Sequence, residues 1–282
     1  MKRKKIKNII TALIILVIIL YLFWGPLFPW NPIKCGYKVI YTPKATVYIN
    51  NMTDRDSIVF NIDKIILEEE KFHNLEYVNN FKIIILDKES NMRRYLPYLK
   101  GSGYSVSISL VNLIYIGPVA RNSQNGIEPY LKHELSHLLI DQNTTFKKAA
   151  LLHEQGWLAE GVAEYFSNHS FYSKKEFLEL YHSNNLHNLS LNRKNPLKMS
   201  VNEVKFNYTY YKFFIEFLIH TYGIEKFQQY LKEYIKDPEN DKKDFGYIYN
   251  YDFKSIWENY LFYLDKDMEI KAYNTPYSPS LP

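Results

Sequence analysis

Lys132-His133-Glu134-Leu135-Ser136-His137-Leu138-Leu139-Ile140 is the stretch on which the reading of this chain turns. It holds the pattern H-E-x-x-H inside apolar surroundings that predict a buried helix. One helical turn separates His133 from His137, so both imidazoles leave the same face and can grip a common ion. Zinc suits such a pair, because it takes imidazole nitrogen in a tetrahedral site and can keep one corner open for water. Glu134, next to the first histidine, has a carboxylate that reaches such a water without ligating the metal. The pentapeptide alone also fits a core helix with two hydrogen-bonded histidines. A third ligand elsewhere in the chain decides between the two.

Trp157-Leu158-Ala159-Glu160-Gly161-Val162-Ala163-Glu164-Tyr165-Phe166 supplies the candidate. It reads as a second helix, with Trp157, Val162, Tyr165 and Phe166 as packing positions. A two-histidine site needs a third protein ligand, and a carboxylate from a later helix can provide it. Glu160 is placed to do so, with His153 as a rival closer in sequence. Glu164 lies one turn beyond Glu160 on the same side, where it can accept a hydrogen bond from the outer N–H of a ligating histidine, His133 foremost.

Together the two stretches resemble the gluzincin zinc metallopeptidases, and most of all their peptidase MA-like branch. The resemblance covers residues 37–265 and is densest over 133–166. It implies His133, His137 and Glu160 as ligands of one Zn2+ ion, Glu134 as general base, and a peptide or protein as substrate. It also implies a strand before the H-E-x-x-H helix along whose edge substrate backbone pairs. Family members carry a tyrosine at the start of a later helix, then an aromatic run and Y-G. Here that run is Asn207-Tyr208-Thr209-Tyr210-Tyr211, closing at Tyr222-Gly223. The match makes Tyr208 the donor to the oxyanion. Tyr211 stands where the family usually has a small residue, and so is the alternative donor.

The chain begins with a basic stretch, then runs apolar from Ile9 to Trp24 and stops at Gly25-Pro26. That run is near the lower length for crossing a bilayer. No small-residue cleavage pattern comes after it, so it reads as an uncleaved signal anchor. Cys35 does not sit in a lipoprotein context. Five Lys/Arg precede the apolar run, which puts the N-terminus in the cytoplasm and the remainder outside. Tyr21, Trp24 and Trp30 fit an interfacial aromatic belt at the outer end.

The net charge of +5 comes from 35 Lys and Arg against 30 Asp and Glu. The five N-terminal cations account for all of it, so the rest of the chain is balanced and offers no nucleic-acid stripe. A single cysteine excludes an intrachain disulfide. The exported part must therefore be held by its own core, for which 26 Tyr and 17 Phe supply ample material.

Periodicity fills in the rest. Residues 36–50 predict a strand pair broken at Pro43, with Ala45, Val47 and Ile49 on one face. Thr53 would cap a helix carrying Ile58, Ile62, Ile65 and Ile66. Phe81–Asp87 predicts a central strand, and 104–117 the last two strands before the H-E-x-x-H helix. Ser173 and Glu176 form a capping box within 167–206, a polar and partly helical cover over the entrance to the site. Two terminal helices, 224–236 and 253–264, flank a charged spacer at 237–244, and the tail after Asp265 reads as irregular.

The expected architecture is α+β and zincin-like. Residues 1–30 form the basic tail and transmembrane anchor, and 31–282 the extracytoplasmic peptidase domain. Within that domain 31–141 is a mixed-sheet lobe with the active-site helix, and 142–282 a helical lobe. The expected activity is metal-assisted hydrolysis of peptide bonds at the cell membrane. A catalytically silent binding module that keeps the peptidase shell is the alternative.

Overall fold

The computed structural model describes residues 2–97, 104–183 and 199–271. It is a mixed α/β structure with one five-stranded sheet and mostly helical content. Two compact units divide it: residues 1–71 with 75–142, and residues 72–74 with 143–282.

The first unit opens with α1 (Lys2–Trp24), whose side chains are exposed from Ile9 to Tyr21. This helix is long and apolar enough to cross a membrane. After a 3-10 turn the sheet begins with the hairpin β1 (Tyr37–Tyr41) and β2 (Ala45–Asn50). Thr42 closes the turn at Pro43: its main-chain N–H donates to Ala45 O, and its hydroxyl accepts from Ala45 N, each at 2.9 Å. A 3-10 segment (Asp54–Asn61) leads into α2 (Ile62–His73), so the α-helix starts eight residues later than the Thr53-Asp54 signal suggests. Then come β3 (Phe81–Ile85), α3 (Glu89–Tyr95), β4 (Ser105–Ile108), β5 (Leu113–Ile116), the short α4 (Pro118–Arg121) and α5 (Glu128–Gln142).

Strand order is β1-β2-β3-β5-β4. The inner pairs β2–β3 and β3–β5 are parallel, while the outer pairs are antiparallel. Parallel neighbours need a helical crossover, which α2 supplies between β2 and β3. The near-continuous apolar run of β3 has its reason in burial on both faces. On one face Ile83 and Ile85 join Val47, Ile49, Ile114 and Ile116 under the apolar stripes of α2 and α5. On the other, Ile84 packs with Leu113, Tyr115, Met92 and Tyr95. Phe28 closes that second cluster, its ring stacked 4.3 Å from Tyr95.

The second unit is helical: α6 (Phe146–Gln155), α7 (Trp157–Phe166), α8 (Lys174–Ser183), α9 (Val201–Tyr222), α10 (Ile224–Lys236), α11 (Asp241–Tyr249) and α12 (Phe253–Lys271). Its interior is aromatic, with Trp157, Phe214, Tyr230, Tyr234, Phe245, Tyr249 and Tyr260 all buried. Gly156, at φ 66°, turns the chain directly from α6 into α7, a conformation that favours glycine. The Ser173–Glu176 capping box is present, with Ser173 N 2.8 Å from Glu176 Oε2 and Glu176 N 3.3 Å from Ser173 Oγ.

Three sequence expectations need revision here. The charged spacer 237–244 is more than a link between helices: it holds a 3-10 turn and the first part of α11. Phe245, Ile248 and Tyr249, at i, i+3 and i+4, bury one face and outweigh its polar start. The helix bearing Tyr208 begins at Val201, because Ser200 and Glu203 form a capping box ahead of it. α12 runs on to Lys271, past the expected end. Residues 184–198 of the expected cover, and the tail from 272, lie outside the described residues.

Gly161 lets α7 and α9 approach closely. A Cβ there would lie 2.9 Å from Ile215 Cγ1 and 3.0 Å from the main-chain oxygen of Tyr211. Gly161→Ala is therefore expected to lower stability by about 1–3 kcal/mol through overpacking. Urea unfolding of wild type and variant side by side checks this; equal midpoints would show that the helices separate without cost.

Candidate metal centre

In the first unit the candidate chemistry sits on α5. Gly126, at φ 68°, breaks the chain before this helix, and Pro129 occupies its first turn where a missing N–H costs nothing. Leu131, Leu135, Leu138 and Leu139 face the sheet core. Every residue from Glu134 to Ile140 is buried, as expected for a helix enclosed on most sides. Three further ties fix its position. Tyr77 Oη donates to Leu135 O at 2.9 Å. Gln142 exchanges hydrogen bonds with the main chain of Asn79 and donates to Asn112 Oδ1. Ser109 Oγ donates to the Asp141 carboxylate. A helix held this firmly can carry a site that tolerates little error in geometry.

On this helix the Nε2 atoms of His133 and His137 lie 3.1 Å apart, with the rings nearly perpendicular. Two nitrogens bound tetrahedrally to one zinc at the usual bond length would be about 3.3 Å apart. The pair thus fits a shared ion with a shift of a few tenths of an ångström. Glu134, 7 % exposed, turns toward the sheet, where Ser105 Oγ on β4 donates to its Oε1 at 2.8 Å. β4 is an edge strand, as the order of the sheet requires.

A residue that sequence reasoning passed over stands beside this helix. Glu69 of α2 is fully buried, with Ser136 of α5 close to its carboxyl. Burial pushes its carboxyl well above the ordinary carboxylate range, against the opposing pull of Lys132, His133 and the Ser136 hydroxyl. Glu68-Glu69-Glu70 looks like a solvated acidic run. Yet Ile62, Ile65, Ile66, Glu69 and His73 follow helical spacing, and all are buried. That period was the available signal.

In the second unit, Glu160 lies in the first turn of α7 and is half-buried, its N–H bonded to Gly156 O at 2.9 Å. Glu164 comes one turn later and is almost fully buried. Within this unit its carboxylate is held by His169 Nδ1, at 2.9 and 3.2 Å. Asn168, at φ 51°, folds the chain back after α7 to make that contact. Lys212 of α9 donates to His169 O at 3.0 Å. Burial lowers its ammonium pKa, while Glu164 and Glu216 pull the other way. The sequence expectation paired Glu164 with His133; His169 is a partner it missed. An Asn just past the end of a helix was the clue. His153 is exposed in the last turn of α6. Tyr208 is half-buried and Tyr211 buried, both on α9, and the main chain of Tyr211 faces Gly161.

No protein-family model matches this sequence, and no curated protein matches it. Among solved structures it is similar to a two-domain M1 zinc metallopeptidase variant bound to L-arginine, with 11 % identity and a TM-score of 0.45. That match covers 81 % of this chain and 51 % of the other. It is also similar to yeast leukotriene A4 hydrolase in its native form, at 16 % identity and a TM-score of 0.37 over 88 % of this chain and 40 % of that one. The same hydrolase in complex with bestatin matches at 14 % identity and a TM-score of 0.39, with coverage of 87 % and 40 %. The chain therefore spans about half the length of the first of these structures and less of the others.

Proposed function

We propose that this chain is a membrane-anchored, zinc-dependent peptidase with a zincin-like α+β fold, in which His133, His137 and Glu160 hold one ion. The observation that carries the reading is the 3.1 Å approach of the two imidazole Nε2 atoms, with Glu134 between them in sequence and held on the same helix. Two imidazoles and a carboxylate are the donor set of hydrolytic zinc sites that keep one position for water. Bound there, zinc supplies a Lewis acid for the scissile carbonyl and brings the pKa of water toward about 7.

The chain's own residues do the rest. Glu134 takes a proton from the attacking water and delivers it to the leaving amine. Tyr208, or Tyr211 in its place, donates its O–H to the developing oxyanion. Glu164 accepts from the outer N–H of His133 and holds that ring in its tautomer. The apolar α1 anchors the chain with its basic end in the cytoplasm and residues 31–282 outside, where the substrate is a peptide or protein.

Metal analysis of the purified chain, then a peptide-library digest with and without chelator, tests this. One zinc per chain and chelator-sensitive cleavage is the expected result. Zinc bound with no peptide or ester cleaved would replace the hydrolase by a binding module. A chain that binds no zinc would remove the site altogether.

A further inference from the structure

β4 has an unusual composition for a strand packed beside a helix. Val106 and Ile108 turn to the cluster around Tyr115 and Met92, as their alternation requires. The other face, Ser105 and Ser107, carries hydroxyls although α5 lies on that side of the sheet. Ser107 Oγ is 3.5 Å from Ser109 Oγ, a loose contact within the same segment. Ser105 makes the close one, donating to Glu134 Oε1 at 2.8 Å across 29 residues of sequence.

The register of the strand adds a second property to the same residue. Gly117 N donates to Tyr104 O, so Tyr104 and Gly117 form a hydrogen-bonded pair of the antiparallel ladder. Pairing then alternates: Val106 faces Tyr115 and Ile108 faces Leu113 in hydrogen-bonded pairs, while Ser105 opposite Ile116 is a non-hydrogen-bonded pair. The N–H and C=O of Ser105 therefore point away from β5, to the outer edge of the sheet. Among the described residues no strand pairs with that edge.

We propose that Ser105 is a positioning residue of the reaction: its hydroxyl fixes the Glu134 carboxylate, from the strand along whose edge the resemblance implies that substrate backbone pairs. The strand then ties the register of the bound peptide to the group that moves the proton. A carboxylate with a rotatable side chain loses time in unproductive rotamers, and a charge-assisted hydrogen bond from a rigid strand holds it in one. The other oxygen of Glu134 remains for the water.

This inference rests on the peptidase reading, and the test separates the two. Ser105→Ala keeps the main chain and removes only the hydroxyl. It is expected to lower kcat about tenfold, the cost of one charge-assisted hydrogen bond, with KM within about twofold. Zinc content and Tm should match wild type. Ser105→Thr, which retains the hydroxyl and suits a strand, should recover most of the loss. Affinity for a peptide hydroxamate, measured calorimetrically on the zinc-loaded full chain, gives a readout independent of turnover. It should weaken in the alanine variant and not in the threonine variant. Wild-type kcat and hydroxamate affinity in Ser105→Ala would overturn the proposal. So would a parallel fall of kcat, zinc content and Tm, which marks a merely structural serine. A wild-type chain that holds no zinc and cleaves nothing would end both readings at once.

Discussion

Glu134→Gln is expected to leave one zinc per chain and to lower kcat by about a thousandfold, the middle of the range for loss of a general base. Glutamine has nearly the volume of glutamate, so the packing around this buried position is preserved. Its amide oxygen can still accept from Ser105 Oγ, the bond that holds the native carboxylate at 2.8 Å. What it lacks is basicity, so no proton leaves the water and none reaches the amine. The readout is kcat alongside zinc stoichiometry and Tm. Full activity with zinc in place would take the role away from Glu134. Lost zinc together with lost activity would mean that Glu134 belongs to the metal and not to the proton.

His137→Ala should act on the other half of the chemistry. Removing one imidazole from the proposed three-ligand site leaves two donors, too few for tight binding of zinc, and affinity is expected to fall by more than about a hundredfold. After dialysis the variant should carry almost no metal. Its Tm should be indifferent to chelator, whereas zinc-loaded wild type, stabilised by mass action, should melt lower once chelated. His137 is largely buried, so a modest additional loss of stability from the cavity is expected in metal-free buffer. Comparing chelated wild type with the variant isolates that part. Unchanged zinc content would move the site elsewhere.

The features that could be read without coordinates share one property: they are local. His133 and His137 meet because an α-helix brings i and i+4 together, whatever surrounds it. The run at β3 predicted a central strand, and the Ser173–Glu176 box needed only its own three-residue spacing. The membrane-length apolar helix is a matter of composition. Where local signals competed, the reading slipped. The charges of 237–244 hid the buried face of α11, and a strong N-terminal signal at Thr53-Asp54 preceded a 3-10 segment in place of the α-helix.

Residue type and spacing were enough to propose two histidines and a carboxylate as ligands and a glutamate as base, because metal and proton chemistry restrict which side chains can serve. Packing alone decided what holds them. Ser105 reaches Glu134 only because β4 lies at the sheet edge alongside α5. Glu69 is buried only because α2 lies over the sheet, and Glu164 meets His169 only because Asn168 turns the chain back. Contacts of that kind join segments with no period between them, so they arise when the core closes and leave no mark in the order of residues.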